Sequence, residues 1–206
     1  DLYTESDMEA YRTGDSPFLY PDVDWYDQVL RTYAPFSRYN LSFKGGVEKA
    51  RYFVTLNTLS RDGLYKRTAD LSDYSANSKY TQHNIRTNVD IDVTNSLTAS
   101  VNLGMIVSDK SNPAAYNTAP IFDLLSSVPP NAFPVYNPNN TYGGNALYTN
   151  PWGDLLETGY FTSNQRYVQS SLRLTQELDE LLPGLSATTA ISFNNDFKTY
   201  SIKERS

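Results

Sequence analysis

The chain has no cysteine and only one histidine among 206 residues. Without cysteine there are no disulfides and no thiolate metal sites, and the absence says little about compartment. One histidine, His83, leaves no His-based catalytic triad and no multi-histidine metal site, and it is expected as a surface residue at a strand end. Long apolar runs are also missing. Hydrophobic residues make up 39% and mean hydropathy is -0.52, so no segment approaches the ~20 residues of a spanning helix. A membrane β-barrel stays open, because barrel strands alternate and average to low hydropathy. Positive charge is scarce. A net charge of -6 and a pI near 4.8 argue against a nucleic-acid partner. No P-loop, G-x-S-x-G or H-E-x-x-H occurs, so nothing supports an enzyme and no cofactor is expected.

What is abundant is tyrosine, with 17 residues in a chain that is 14% aromatic. That load suits an interfacial aromatic girdle or a sugar-binding surface. The second abundance is alternation. In "YNLSFKGGVEKARYFVTLNT", Tyr39, Leu41 and Phe43 alternate with Asn40, Ser42 and Lys44. Alternation resumes at Tyr52, Val54 and Leu56, predicting a hairpin around a glycine turn. Strands are expected near 39–45, 49–60, 80–94, 96–108, 163–178 and 184–202. In the third, Ile85, Thr87, Val89, Ile91 and Val93 oppose Asn84, Arg86, Asn88, Asp90 and Asp92. Several runs exceed the usual ~5–6 residues of a globular strand and are long enough to cross a bilayer core when tilted.

The connections alternate in length. "GGVE", Thr94-Asn95 and Asp179 to Gly184 are short, while about 61–79 and 109–162 are long and polar. Short turns on one rim and long loops on the other are the arrangement of an outer-membrane barrel. The expected fold is therefore all-β, an antiparallel transmembrane barrel segment of about six strands. Its greasy face meets lipid and its polar face lines a lumen. A soluble sheet with one solvated face is the alternative, and a soluble all-β carbohydrate-binding module the alternative function. Residues 1–38 do not alternate and form a loop segment. "DWYDQVLR" predicts a short helix capped by Asp24, and "APIFDLLSSVPP" predicts another inside the longest loop. The chain opens on "DLYTESDM", without an initiator Met or signal peptide, and ends in "KTYSIKERS" just after an alternating run. An internal fragment of a longer protein is expected.

Candidate binding residues lie in the long loop and on the polar face. Tyr136, Tyr142, Tyr148, Trp152 and Tyr160 accompany Asn145, and aromatic faces beside amides suit sugar or peptide capture. The competing role is to fill and staple the loop itself. On the polar face, Arg86, Asn88 and Asp90 are candidates for lumen contacts with substrate. Asp90 and Asp92 lie about 7 Å apart on one strand face, and a carboxylate pair could serve a glycosidase, but solvated charges beside Arg86 are the stronger reading. "DVDWYD" hints at calcium yet lacks the spacing and glycine of an EF-hand loop.

Three segments carry a family resemblance. "YPDVDWYDQVLRTYAPFSRYNLSFKGGVEKARYFVTLNTLSRDGLYK" resembles the SusC/RagA family of TonB-linked outer-membrane receptors. There an aromatic D-W segment precedes an N-L-S strand, a G-G turn and an R-Y-F strand. "NIRTNVDIDVTNSLTASVNLG" resembles the R-x-N strand and turn that follow. "YGGNALYTNPWGDLLETGY" resembles the G-G-N-P-L-x-N-P loop, with Ala146 where proline is usual. The resemblance implies part of a 22-stranded barrel importing glycans or peptides. It also implies a SusD-like surface lipoprotein as partner, and TonB acting through an N-terminal region absent from this chain. The plug domain is likewise absent from this chain, and the location implied is the outer membrane.

Overall fold

Six strands form one meander in which every strand pairs with its sequence neighbour, all antiparallel. The computed structural model describes residues 3–66, 77–113 and 119–204. The strands are β1 (Phe36–Val47), β2 (Ala50–Asp62), β3 (Lys79–Asp92), β4 (Leu97–Pro113), β5 (Gly159–Glu177) and β6 (Ser186–Glu204). Four helices accompany them: α1 (Glu5–Thr13), α2 (Trp25–Val29), α3 (Ala119–Ser127) and α4 (Pro151–Glu157). The sheet is not closed, so the outer edges of β1 and β6 are unpaired among the described residues.

The register carries the alternation of each strand across the whole sheet. Leu41 lies beside Leu56, Ile85, Met105 and Val168 in one row. The adjacent row on the same face runs Phe43, Val54, Thr87, Leu103, Ser170 and Phe193. The opposite face carries Ser42, Thr55, Arg86, Gly104, Gln169 and Asn194 in register. A one-residue slip would exchange the faces, so long matched ladders fix which side each residue takes.

The hydrophobic core is not in the sheet. Its buried members, among them Trp25, Val29, Tyr65, Ile121, Phe133, Trp152 and Leu155, all come from the helices and long connections. The apolar face of the sheet is open instead: Leu41 is 53% exposed, Phe43 57%, Ile191 70% and Phe193 62%. A soluble half-buried sheet shows the reverse, with its apolar face covered.

Two expectations need adjustment. Gly45 and Gly46 belong to β1, and the turn itself is Glu48–Lys49. Gly45 makes room for its cross-strand neighbour, since a Cβ there would stand 2.5 Å from the Tyr52 hydroxyl oxygen. His83 is not at a strand end. It sits on the apolar face of β3, with Nδ1 3.2 Å from Thr58 Oγ1.

Both expected helices form. Asp24 caps α2 by accepting from Asp27 N at 2.9 Å, and α3 covers Ala119–Ser127. The sequence reading did not name α1 or α4. The first has a Thr4/Asp7 capping box and ends on Gly14 at φ 69°. The second starts from Asn150 with Pro151 at its first position.

Candidate functional site

All three short turns lie at one end of the sheet, and both long connections, with α2, α3 and α4, lie at the other. This rim is built as a cap with its own core. After α2, Arg31 N donates to Leu64 O and Lys66 N to Val29 O, tying the entry segment to the loop after β2. Val23 N donates to Pro130 O and Trp25 Nε1 to Pro129 O, tying it to the loop after β4. Trp25 packs edge-on against Phe133 at 5.4 Å.

Asn150 is the polar centre of the cap. It is 5% exposed, donates through Nδ2 to Val135 O and Gly143 O at 3.0 and 2.9 Å, and accepts from Trp152 N and Gly153 N at 3.0 and 3.1 Å. One side chain thus starts α4 and pins two loop strands to it. The sequence reading did not select this residue, although Asn followed by Pro at a helix start was a usable signal. Gly143 and Gly153 are close approaches: a Cβ on Gly143 would collide with Pro134 O, and one on Gly153 would stand 2.9 Å from the Tyr142 ring.

The candidate aromatics divide. Trp152, Tyr136 and Tyr142 come together: Trp152 Nε1 donates to Tyr136 Oη at 2.8 Å, and the Tyr136 and Tyr142 rings lie 5.3 Å apart. Tyr142 and Tyr148 pack against the cap core, and Trp152 is buried in it. Asn145 shapes a turn, accepting from Leu147 N and Tyr148 N at 2.9 Å each. Tyr160 stands at the start of β5 opposite Pro113. Of these six, Tyr136 and Asn145 keep the most exposed side chains.

Burial sets the ionisation of two groups in the cap. The Tyr65 hydroxyl has no hydrogen-bond partner among the described residues, and desolvation pushes it up to about 12. Burial also raises Asp154 in the first turn of α4. The carboxylates of "DVDWYD" diverge: Asp24 caps α2, while Asp27 approaches Lys66 at 3.8 Å.

The second candidate surface is the polar face. Its basic side chains are Arg38 and Lys44 on β1, Arg51 and Arg61 on β2, Arg86 on β3, Lys110 on β4, Arg173 on β5 and Lys198 on β6. Among the described side chains its acidic ones are Asp90, Asp92, Glu177 and Asp196. A chain of net charge -6 therefore presents a basic wall. Three of the acidic groups are engaged locally. Asp92 bridges to Arg51 at 3.3 Å, Asp90 accepts from Ser100 Oγ at 2.6 Å, and Asp196 accepts from Gln165 at 3.0 Å. Arg86 has no carboxylate partner among the described residues. It borders a groove of about 250 Å³ shared with Asn88, Asn102, Gly104, Gln169 and Asn194. Gly104 sits directly beside Arg86 in the ladder and leaves the groove floor clear.

The apolar face differs in charge as well as hydropathy. Its charged strand residues, such as Asp62, Lys79, Asp109 and Arg166, cluster toward the cap. From the row of Leu41 to the row of Val47 this face has none. That interval is roughly 20 Å along the strands.

No protein-family model matches the chain. Over 203 residues, 94% of its length, it is 24% identical to TonB-dependent receptor P3 of Formosa agariphila. The chain spans 18% of that receptor's length. No described helix is long and apolar enough to cross a membrane, which says nothing of strands.

Proposed function

We propose that the chain is a stretch of the β-barrel wall of a TonB-dependent outer-membrane receptor. In this reading it is a SusC-like receptor with 22 strands that imports glycans or peptides. The observation that carries the reading is the exposed, charge-free apolar belt on one face of a six-stranded meander. Its ~20 Å extent along the strands is close to the ~25 Å apolar band of such barrels. The polar face is then the channel wall. The similarity to TonB-dependent receptor P3 over nearly the whole chain supports the same reading.

Residues 1–38 and the connections 61–79 and 109–162 would lie outside the cell, and the three short turns in the periplasm. The candidate contacts keep their places in this scheme. Tyr136, Asn145, Tyr148, Tyr142, Trp152 and Tyr160 serve the outer loop, and Arg86, Asn88 and Asp90 the channel. The cap, with its own core, is the natural seat for a SusD-like lipoprotein. TonB would act through an N-terminal region outside this chain.

The reading is tested with the whole receptor expressed in a Gram-negative host. It should fractionate with the outer membrane, and the purified protein should migrate differently on gels before and after boiling. Recovery as a soluble periplasmic protein would favour the carbohydrate-binding module instead.

A further inference from the structure

We propose that the turn joining β5 to β6 is a leucine-lined foot that docks on the periplasmic leaflet of the bilayer. The proposal rests on reading the apolar face as the lipid face, and its partner is a lipid surface.

The turn is unlike its two neighbours on the same rim. Those are polar at their tips, with Glu48–Lys49 between β1 and β2 and Thr94–Asn95 between β3 and β4. The third carries Leu178, Leu181, Leu182 and Leu185. Leu181 is 76% exposed and Leu182 60%, which is costly surface to leave in water.

The backbone gathers these leucines on one side. Leu178 N donates to Leu185 O at 2.9 Å, one step past the last ladder pair, Glu177 and Ser186. Alternation then turns Leu178 and Leu185 to the apolar face. Leu181 N and Leu182 N both donate to Leu178 O, closing a single turn. Residues three and four apart share a side of such a turn, so Leu181 and Leu182 follow Leu178, and Glu180 does not. The Asp179 carboxylate is engaged in holding the loop, accepting from Gly184 N at 2.7 Å, with Gly184 at φ 80°.

Continuity with the belt identifies the occupant. From Val168 to Leu178 on β5, and from Phe193 to Leu185 on β6, no residue of the apolar face is charged. On this strand pair the uncharged face therefore runs beyond the row of Val47. Val168 to Leu178 spans roughly 33 Å along the strand, or about 25 Å across a bilayer at a tilt of about 40°. That equals the full height of a barrel's apolar band. Leu178 and Leu185 stand at its edge. Leu181 and Leu182 lie just past it, at the interface where apolar side chains seat themselves among headgroups and acyl chains.

The test uses the whole receptor, freed of cysteine elsewhere, in phosphatidylcholine nanodiscs. Leu181→Cys, Leu182→Cys and Glu180→Cys each carry a fluorophore, with Ile191→Cys as the reference inside the belt. Acyl chains brominated at graded depths should quench the labels of Leu181→Cys and Leu182→Cys, placing them about 5–10 Å into the headgroup and acyl boundary. Aqueous iodide should quench Glu180→Cys and spare those two. Either leucine variant suffices if the other folds poorly. Iodide quenching of both leucine variants equal to that of Glu180→Cys overturns the foot. Labels open to iodide in nanodiscs but shielded in isolated outer membranes assign the surface to a periplasmic protein and overturn the lipid. Iodide quenching of Ile191→Cys without bromine quenching refutes the lipid-face reading itself. Bromine quenching of Ile191→Cys, with none of either leucine variant, refutes the foot alone.

Discussion

Asn150 shows how much of the cap depends on a single side chain. Replacing it with alanine leaves two carbonyls and two amides of a buried segment without their partners. Loss of a helix cap together with buried unsatisfied groups costs roughly 2–4 kcal/mol. Asn150→Ala should therefore lower hydrogen-exchange protection of the Trp152 and Leu155 amides while sparing the β3–β4 ladder. Unchanged protection at Leu155 would show that the cap stands without it. Asp154, in the same helix, predicts a pH effect. Burial raises its pKa, so the folded cap favours the protonated form. Its contribution is favourable below the unfolded value of ~3.9 and is lost as pH rises through the raised folded value. Asp154→Asn should accordingly tighten the cap at neutral pH, with the gain shrinking as pH falls toward 4. A gain independent of pH would assign the effect to something other than ionisation.

The elements differ in how far the sequence exposes them. All six strands were legible because each alternates over many residues, and period two survives any uncertainty at the ends. The ladder carries β4 on to Pro113 and starts β5 at Gly159, where the sequence turns polar and aromatic and the alternation fades. The glycine pair suggests a turn in sequence because Gly-Gly usually marks one. Here Gly45 is a strand position emptied for the Tyr52 ring. Helices α1 and α4 have short, weakly periodic bodies, so only their caps announced them. The groove around Arg86 was legible in its residues but not in their grouping. Arg86, Gly104, Gln169 and Asn194 come from four strands, and only the register sets them in one row. Register also sharpens a test of facing. Val101 lies in the charge-free belt, whereas Asn102, one residue on, donates to Ser171 on the polar face at 3.2 Å. An Arg near the midplane of a barrel's lipid face costs roughly 2–4 kcal/mol. In the whole receptor, Val101→Arg should cut outer-membrane assembly sharply while Asn102→Arg is tolerated. Equal yields would refute the assignment of the two faces.

At the scale of the whole molecule, the two rims are chemically unlike. One ends in three short turns, and the other carries a cap with its own core, built from segments more than a hundred residues apart, as in the 104-residue separation of Trp25 and Pro129. A structure of this kind holds the rim fixed, and in the proposed barrel it would offer ligands a preorganised surface rather than loose chain. In the proposed barrel it also sets a single orientation across the bilayer. Glu48 lies in the turn between β1 and β2, and Ala146 is an exposed cap residue free of side-chain hydrogen bonding. Cysteine at either position leaves the ladder and the cap core untouched, and the chain has no native cysteine to confuse the labelling. In the whole receptor on intact cells, Ala146→Cys should react with an impermeant maleimide. Glu48→Cys should react only after the outer membrane is permeabilised. Labelling of Glu48→Cys on intact cells would invert the topology. The capped rim, with Tyr136 and Asn145, would then face the periplasm, where it could not be first to meet a nutrient arriving from outside.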